Sequence, residues 1–523
     1  MAEESFYITT AIDYTNAPPH IGHAYEKILA DVLARSRRAA GRETYFLTGV
    51  DQHGQKVQQA AEKRNIPPAE FANEITGTFL QLWEKLGISH DGWAATTDPV
   101  HAHAVQSILS DLQEKGQLYK AVHSGFYSIR QEQFLTDKER DEEGNFGPDW
   151  GEVVHLEEEN WYFRLSEHLP WLEQFLQKHP HAVLPSFRQS ELVNAVGKGG
   201  GDLCISRPKS RLSWGIELPF DPGFVTYVWF DALINYVSFV GYHSLDAAKR
   251  EQFERLWPAD AHVIGKDILV PAHGVYWLCM LHAMGFSDEQ MPTLLVHGWW
   301  NLGGAKVSKS LGNVVDPGDL IQRFGVSAVR YYLMRDISLG RDADFSEERL
   351  IVLYHSELAN GLGNLLNRAL NMTWKYREGV LQPLPESKAE KSVQLLAIMR
   401  QSQQDYAVAL KGFDVQKGIE AAGKVVAAAN GYAEAMAPWK LAKDPDQAVL
   451  LDEVLSLLAL AARLAASLLA PVIPEASEKI LGQLRLPLCG PGGEDCSVLP
   501  PDHLIDKAVP VFPRLEESSD SPA

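Results

Sequence analysis

Pro18-Pro19-His20-Ile21-Gly22-His23 joins an apolar run, Phe6-Tyr7-Ile8-Thr9-Thr10-Ala11-Ile12, to a helical pattern that begins near Ala24. The run is β-branched and aromatic and ends in turn residues, which predicts a buried strand. Ile28, Leu29, Val32 and Leu33 share one helical face. Strand, tight turn and helix form the opening of a doubly wound parallel-sheet, nucleotide-binding α/β unit. Two imidazoles at i and i+3 on the first helical turn stand beside free N–H groups that attract phosphate. Gly22 leaves room for a ligand to lie against the backbone.

A proline-led helix start with two surface histidines would explain this stretch by itself. It does not explain a second stretch, Lys306-Val307-Ser308-Lys309-Ser310 after Gly303-Gly304. Two lysines and two hydroxyls on a glycine-hinged loop suit a phosphate clamp. The ordered pair is far more specific than either member.

His20-Ile21-Gly22-His23 is identical to the HIGH motif of class I aminoacyl-tRNA synthetases, and Lys306 to Ser310 resembles their KMSKS loop with Val307 in place of Met. Among these enzymes the chain most resembles the methionyl-tRNA synthetases. The resemblance implies a Rossmann-like catalytic domain of the HIGH superfamily, split by a connective insertion and followed by an α-helical bundle. It implies ATP contacts at His20, Gly22, His23, Lys306, Ser308, Lys309 and Ser310, with His20, His23, Lys306 and Lys309 catalytic.

The 523 residues exceed a single core. No apolar run reaches the roughly 18 residues of a membrane span, and no secretory signal precedes the first strand. Four separated cysteines suit a reducing cytoplasm. The net charge of −20 argues against a nucleic-acid partner on average, so phosphate contacts require local Lys and Arg.

The expected boundaries are 1–117 and 221–300 for the two catalytic halves, 118–220 for the insertion, 301–346 for the clamp region, 347–486 for the helical domain and 487–523 for a tail. In the first half, Glu43–Val50 reads as a strand ending in Asp51-Gln52-His53-Gly54. Its carboxyl end is where such sheets bind ligands, so Asp51 is placed to receive an ammonium group or to cap the next helix. The resemblance assigns it the substrate amino group. His101 and His103, at i and i+2, read as surface residues.

Tyr119–Trp150 is polar and turn-rich and reads as a solvated loop, while Gly125–Ser128 and Glu157–Leu165 read as strands flanking a knuckle. Relatives often hold zinc there through Cys-x-x-Cys pairs. This chain has no cysteine before Cys204 and no zinc-spaced His/Cys set, so no structural zinc and no metal ligands are expected. The insertion is also too short for the separate hydrolytic domain of isoleucyl-, valyl- or leucyl-type enzymes. Gly197–Gly201 lacks the ending of a P-loop and reads as a turn. Arg207 follows in a motif whose arginine, in the family, lies in the substrate pocket; a surface ion pair is the alternative.

Trp229, Ala232, Leu233 and Tyr236 recur at helical spacing, a pattern that usually marks core. The resemblance makes the same face a wall of the methionine pocket, where a polarisable thioether suits aromatic neighbours. It assigns the opposite wall to Ala11, Ile12 and Tyr14, and adds Ile268 and His273. His273 stands five residues after Ile268 where the family has four, and Leu233 replaces a common proline.

From Ser346 onward strands stop and helical patterns fill Glu347–Tyr376, Ser392–Leu410, Asp414–Met436 and Gln447–Leu469. The resemblance assigns Asn364, Arg368 and Trp439 to the CAU anticodon of tRNA(Met); a core tryptophan is the alternative for Trp439. Glu516–Ala523 reads as disordered. With no further C-terminal domain, a monomer is expected.

The implied activity is that of a methionine–tRNA ligase, using L-methionine, ATP with Mg²⁺ and tRNA(Met), in the cytoplasm and off the membrane. Three rivals differ in class. A cysteinyl-type synthetase needs a zinc–thiolate site this chain lacks, a small adenylyltransferase does not explain the helical half, and a non-catalytic tRNA-binding relative has no need of both phosphate loops.

Overall fold

A computed structural model describes residues 5–128, 133–135, 139–141, 143–303, 305–306, 315–386, 388–490 and 496–515. Its centre is a parallel sheet ordered Gly92–Ala95, Thr44–Asp51, Phe6–Thr10, Ala261–Gly265, Leu294–His297 and Val183–Leu184. Phe6–Thr10 is buried at every position, as a strand covered on both faces requires. From it the chain builds outward first to one side and later to the other. The crevice at the carboxyl ends of Phe6–Thr10 and Ala261–Gly265 is therefore the topological switch point, where doubly wound sheets bind ligands.

The first strand does not end cleanly. Thr9 pairs with Leu47, but Asp13 pairs with Val50, so one extra residue is accommodated between them. Ala11 and Ile12 leave the regular ladder at this step, a bulge-like irregularity that re-aims side chains beside the crevice. The helix Ile21–Ala39 starts at Ile21, earlier than the apolar pattern suggests, because His20 caps it.

The expected insertion holds an antiparallel sheet and the helices Leu165–Lys178 and Ser186–Val196, whereas its Val183–Leu184 joins the central parallel sheet beside Leu294–His297. Leu118–Ser128 and Val153–Phe163 pair over their full lengths. Gly125–Ser128 is strand as expected, and the strand also takes in Tyr119–Ser124 from the expected solvated loop, its backbone groups satisfied by a partner that local polarity does not reveal.

Beyond Ser346 helices dominate: Glu347–Leu353 continues through the wide turns of Tyr354–Gly363 into Asn364–Arg377, followed by Glu390–Lys411, Val415–Met436, Ala448–Leu469 and Pro474–Leu484. Every residue from Glu453 to Leu469 is buried, which makes Ala448–Leu469 the bundle's core helix. Strands do not stop entirely. Val380–Leu381 pairs with His503–Leu504, and buried Ile505 and Phe512 tie the returning chain to the bundle. Glu516–Ala523 lies outside the described residues. Among the described residues no helix is long and apolar enough to cross a membrane.

One buried side chain joins the catalytic and helical parts. Arg330, on the helix Val326–Arg335, donates to Asp31 Oδ2 at 2.6 Å, Leu86 O at 3.0 Å, Pro471 O at 2.9 Å and Val472 O at 2.8 Å. Burial would raise the Asp31 carboxyl, but Arg330 and Arg35 outweigh it and hold Asp31 below its ordinary range. Removing one partner of such a pair leaves a buried charge and costs about 3–5 kcal/mol. Arg330→Met is therefore expected to lower the unfolding free energy by about that amount in chemical denaturation. The Asp31 contribution is fully present above the unfolded carboxylate pKa and is lost as pH falls through the depressed folded value. Arg330→Met should accordingly lose less stability than wild type on acidification; equal acid sensitivity would refute the assignment.

Candidate active site

The helix Ile21–Ala39 meets the crevice with its amino end. His20 occupies the N-cap, and its Nδ1 accepts from Gly22 N at 3.0 Å. His23 Nδ1 accepts from His20 N at 3.1 Å, closing a reciprocal cap. The two rings lie 3.9 Å apart between centroids. A Cβ on Gly22 would stand 2.9 Å from His20 Cε1, so glycine here lets the His20 ring fold over the helix start. The sequence expectation that both imidazoles sit together at a helix start is met, and Nε2 of each ring is the nitrogen not used by the cap.

Behind the histidines runs a buried charged chain. Lys27 Nζ contacts Ala11 O at 3.0 Å, Asp13 Oδ1 at 2.7 Å and Glu26 Oε1 at 2.8 Å. Glu26 Oε2 then meets His297 Nε2 at 3.0 Å. Burial pushes the Asp13 carboxyl up to about 7 despite Lys27. Glu26 feels the same burial, but Lys27 and His297 outweigh it and hold its carboxyl below the usual range.

Asp13, Glu26 and His297 border a cavity of about 440 Å³, within the usual size of ligand sites. Ala11, Ile12, Tyr14, His20, Gly22 and His23 line it from the first strand end and the helix start that follows, Trp229, Ala232, Leu233, Tyr236, Ile268 and His273 line it from residues 229–273, and Asp51 lines it from the end of Thr44–Asp51. Asp51 is almost fully buried at the end of Thr44–Asp51, and its Oδ1 accepts from His53 N at 3.2 Å and Thr96 Oγ1 at 3.3 Å.

His273 resolves its own register. The segment Leu269–Trp277 has wide turns, which absorb the extra residue, and brings His273 Nδ1 to 2.9 Å from Ile268 O. A carbonyl only accepts, so Nδ1 carries the proton and Nε2 accepts from Tyr236 Oη at 2.7 Å. Burial lowers His273 to about 4, which keeps this ring neutral. Tyr236 is braced further by Tyr7, whose hydroxyl donates to Tyr236 O at 2.8 Å, and by His262, stacked at 4.1 Å.

Arg207 does not join the cavity. It stands on Ser206–Pro208 opposite Val225, with Nη1 donating to Ser206 O at 2.7 Å and its guanidinium 4.4 Å from the Tyr227 ring centroid. Arg207 is thus held by Ser206 and the Tyr227 ring and is not among the residues that line the cavity. His101 is not a surface residue either. It is fully buried, with Nε2 at 2.8 Å from Asp231 Oδ1, because its side of the helix Pro99–Glu114 faces the Val228–Leu233 helix.

The backbone of Lys306 pairs with Asn301, while its side chain and Val307, Ser308, Lys309 and Ser310 lie outside the described residues.

Asn364 and Arg368 border a separate groove between the Asn364–Arg377 and Val415–Met436 helices. Asn364 Nδ2 donates to Asn430 Oδ1 at 3.1 Å, and Arg368 pairs with Glu434 at 2.6 Å. Trp439, on the single turn Pro438–Leu441, is 38% exposed and therefore not a core tryptophan.

Sequence reasoning missed Asp13, Glu26, Lys27, Asp267 and His297. Two signals were present: a charged pair, Glu26-Lys27, interrupts the helix beside its apolar face, and His297 ends a central strand as Asp51 does.

The family model for class I tRNA synthetases (M) matches residues 6–144 and 151–370, and that for the anticodon binding domain of methionyl tRNA ligase matches 383–490. A methionine–tRNA ligase of Caldanaerobacter subterraneus is 39% identical over 92% of this chain and 74% of its own length. One of Thermotoga maritima is 37% identical over 98% and 80%. The Mycobacterium tuberculosis methionyl-tRNA synthetase bound by methionyl-adenylate superposes with a TM-score of 0.90 at 34% identity, covering 98% of this chain and all of that one. Matches to both family models across almost the whole chain, on a sheet whose switch point carries the paired histidines, lead to one conclusion: the chain belongs to the methionyl branch of the class I tRNA synthetases.

Proposed function

We propose that the chain is a methionine–tRNA ligase that activates L-methionine with ATP and transfers the methionyl group to tRNA(Met). The observation that carries this reading is the division of one cavity into two chemistries. Paired imidazoles at a helix amino end suit phosphate, and a neutral Trp229–Tyr236–His273 wall suits an uncharged thioether. Asp51, between them, is the group for the substrate ammonium.

In the first step the methionine carboxylate attacks the α-phosphorus of ATP, forming the acyl–phosphate bond as the bond to pyrophosphate breaks. In the second, the terminal ribose hydroxyl of tRNA attacks the activated carbonyl and releases AMP. Both steps depend on positioning and charge stabilisation. His20 and His23 contact the phosphates. Lys309, assisted by Lys306 and Ser308, stabilises the departing pyrophosphate. Among the described residues no group of three His, Cys, Asp or Glu is arranged to hold a metal. We place Mg²⁺ on the ATP phosphates and assign no structural zinc to the insertion. The enzyme acts in the cytoplasm as a monomer.

Asn364, Arg368 and Trp439 read the CAU anticodon. Exposed Trp439 stacks an unpaired base, while Asn364 and Arg368 contact base edges or phosphate.

The primary test is ATP–pyrophosphate exchange across the twenty amino acids without tRNA. Exchange with methionine alone, abolished in Lys309→Ala, is expected; exchange with a different amino acid would overturn the pocket assignment. For the anticodon reading, loss of one stacking contact is worth about 1–3 kcal/mol. Trp439→Ala should therefore raise the KM for tRNA(Met) in aminoacylation by roughly 5- to 150-fold. An unchanged KM would remove Trp439 from the interface.

A further inference from the structure

We propose that Asp231 is a positioning residue for methionine, fixing through His53 the spacing between the ammonium-binding carboxylate and the wall that receives the methionine side chain. The inference rests on the reading of the cavity given above. Asp231 is fully buried on the short helix Val228–Leu233, which also carries Trp229, Ala232 and Leu233. Asp231 and Trp229 are two residues apart, which places them on opposite helix faces. Trp229 lines the cavity; Asp231 and His53 do not.

His53 is the link. Its Nδ1 lies 2.7 Å from Asp231 Oδ2, and its backbone N–H donates to Asp51 Oδ1 at 3.2 Å. One residue thus ties the carboxylate at the end of Thr44–Asp51 to the back of the Trp229 helix. The other Asp231 oxygen is taken by His101 Nε2 at 2.8 Å, and His101 Nδ1 reaches Ser238 Oγ at 2.8 Å. This second arm anchors the Pro99–Glu114 helix and the turn Asn235–Ser238, which carries Tyr236. Burial would raise the Asp231 carboxyl, but the two imidazoles outweigh it and hold it below its usual range.

A carboxylate buried between two imidazoles is a poor device for stability alone, since apolar side chains of similar volume do as well or better. It is a good device for geometry. Both oxygens are committed in direction, one to His53 beside Asp51 and the other to His101, which in turn reaches the turn that carries Tyr236. Displacement by about 1 Å of a group that orients substrate costs up to about 100-fold in rate.

The test is methionine-dependent pyrophosphate exchange by the full-length protein. In Asp231→Asn the KM for methionine should rise at least about tenfold, with the KM for ATP within about twofold of wild type. His53→Ala breaks the same tie while leaving Asp231 paired with His101, and it carries the test if Asp231→Asn does not fold. The double variant should be no worse than the poorer single one, because both remove one linkage. An unchanged methionine KM, a parallel rise for methionine and ATP, or additive losses would overturn the inference alone. Wild-type protein without methionine-dependent exchange would overturn the reading of the cavity and this inference with it.

Discussion

The buried contact of Arg330 with Asp31 is the constraint on which the two parts of the molecule depend. Asp31 lies midway along the Ile21–Ala39 helix, whose amino end presents His20 and His23 to the crevice. Arg330 places its guanidinium on Asp31 and on the carbonyls of Leu86, Pro471 and Val472. The carbonyls belong to one helix terminus and to the turn before Pro474–Leu484, groups that would otherwise be orphaned. A single cation thus satisfies a carboxylate and three backbone acceptors from segments far apart in sequence. The amino end of the helix, with His20 and His23, and the bundle that carries Asn364, Arg368 and Trp439 are thereby referred to the same buried contact.

Electrostatics then divide the cavity. On the histidine side, one buried ammonium, Lys27, faces two carboxyls, Asp13 and Glu26. Glu26 has His297 as a second partner and holds its charge, whereas burial leaves Asp13 titrating near neutrality at about 7. On the aromatic side the polar groups pair without charge: Tyr236 Oη donates to a neutral His273, which donates to Ile268 O. The bulge-like step at Ala11 and Ile12 lets one strand end border both.

Much of this was legible in residue patterns. The strand–turn–helix at Phe6 to Leu33 announced the parallel sheet because its periodicity changes within a few residues. The carboxyl-end rule located Asp51, and applied equally to Leu294–His297 it would have located His297. The Trp229–Tyr236 stripe was visible, although spacing alone did not separate core from pocket wall. Trp439 was open between two readings until its exposure decided for the surface. Arg207 and His101 went the other way. Each follows a sound local rule, and each was overridden by partners contributed by remote elements: Tyr227 for the arginine, Asp231 and Ser238 for the histidine.

By itself, then, the sequence determined the fold class, the pairing of His20 and His23 at a helix start and the aromatic stripe from Trp229 to Tyr236, because each is written in short-range periodicity or in a local motif. Tertiary structure alone decided the one-residue step that opens the first strand, the pairing of Leu118–Ser128 into a sheet, and the buried sets around Arg330, Lys27 and Asp231. The physical reason is the same in each case. A buried polar group must find a partner, and when that partner stands on another element, only the folded chain shows which one it has found.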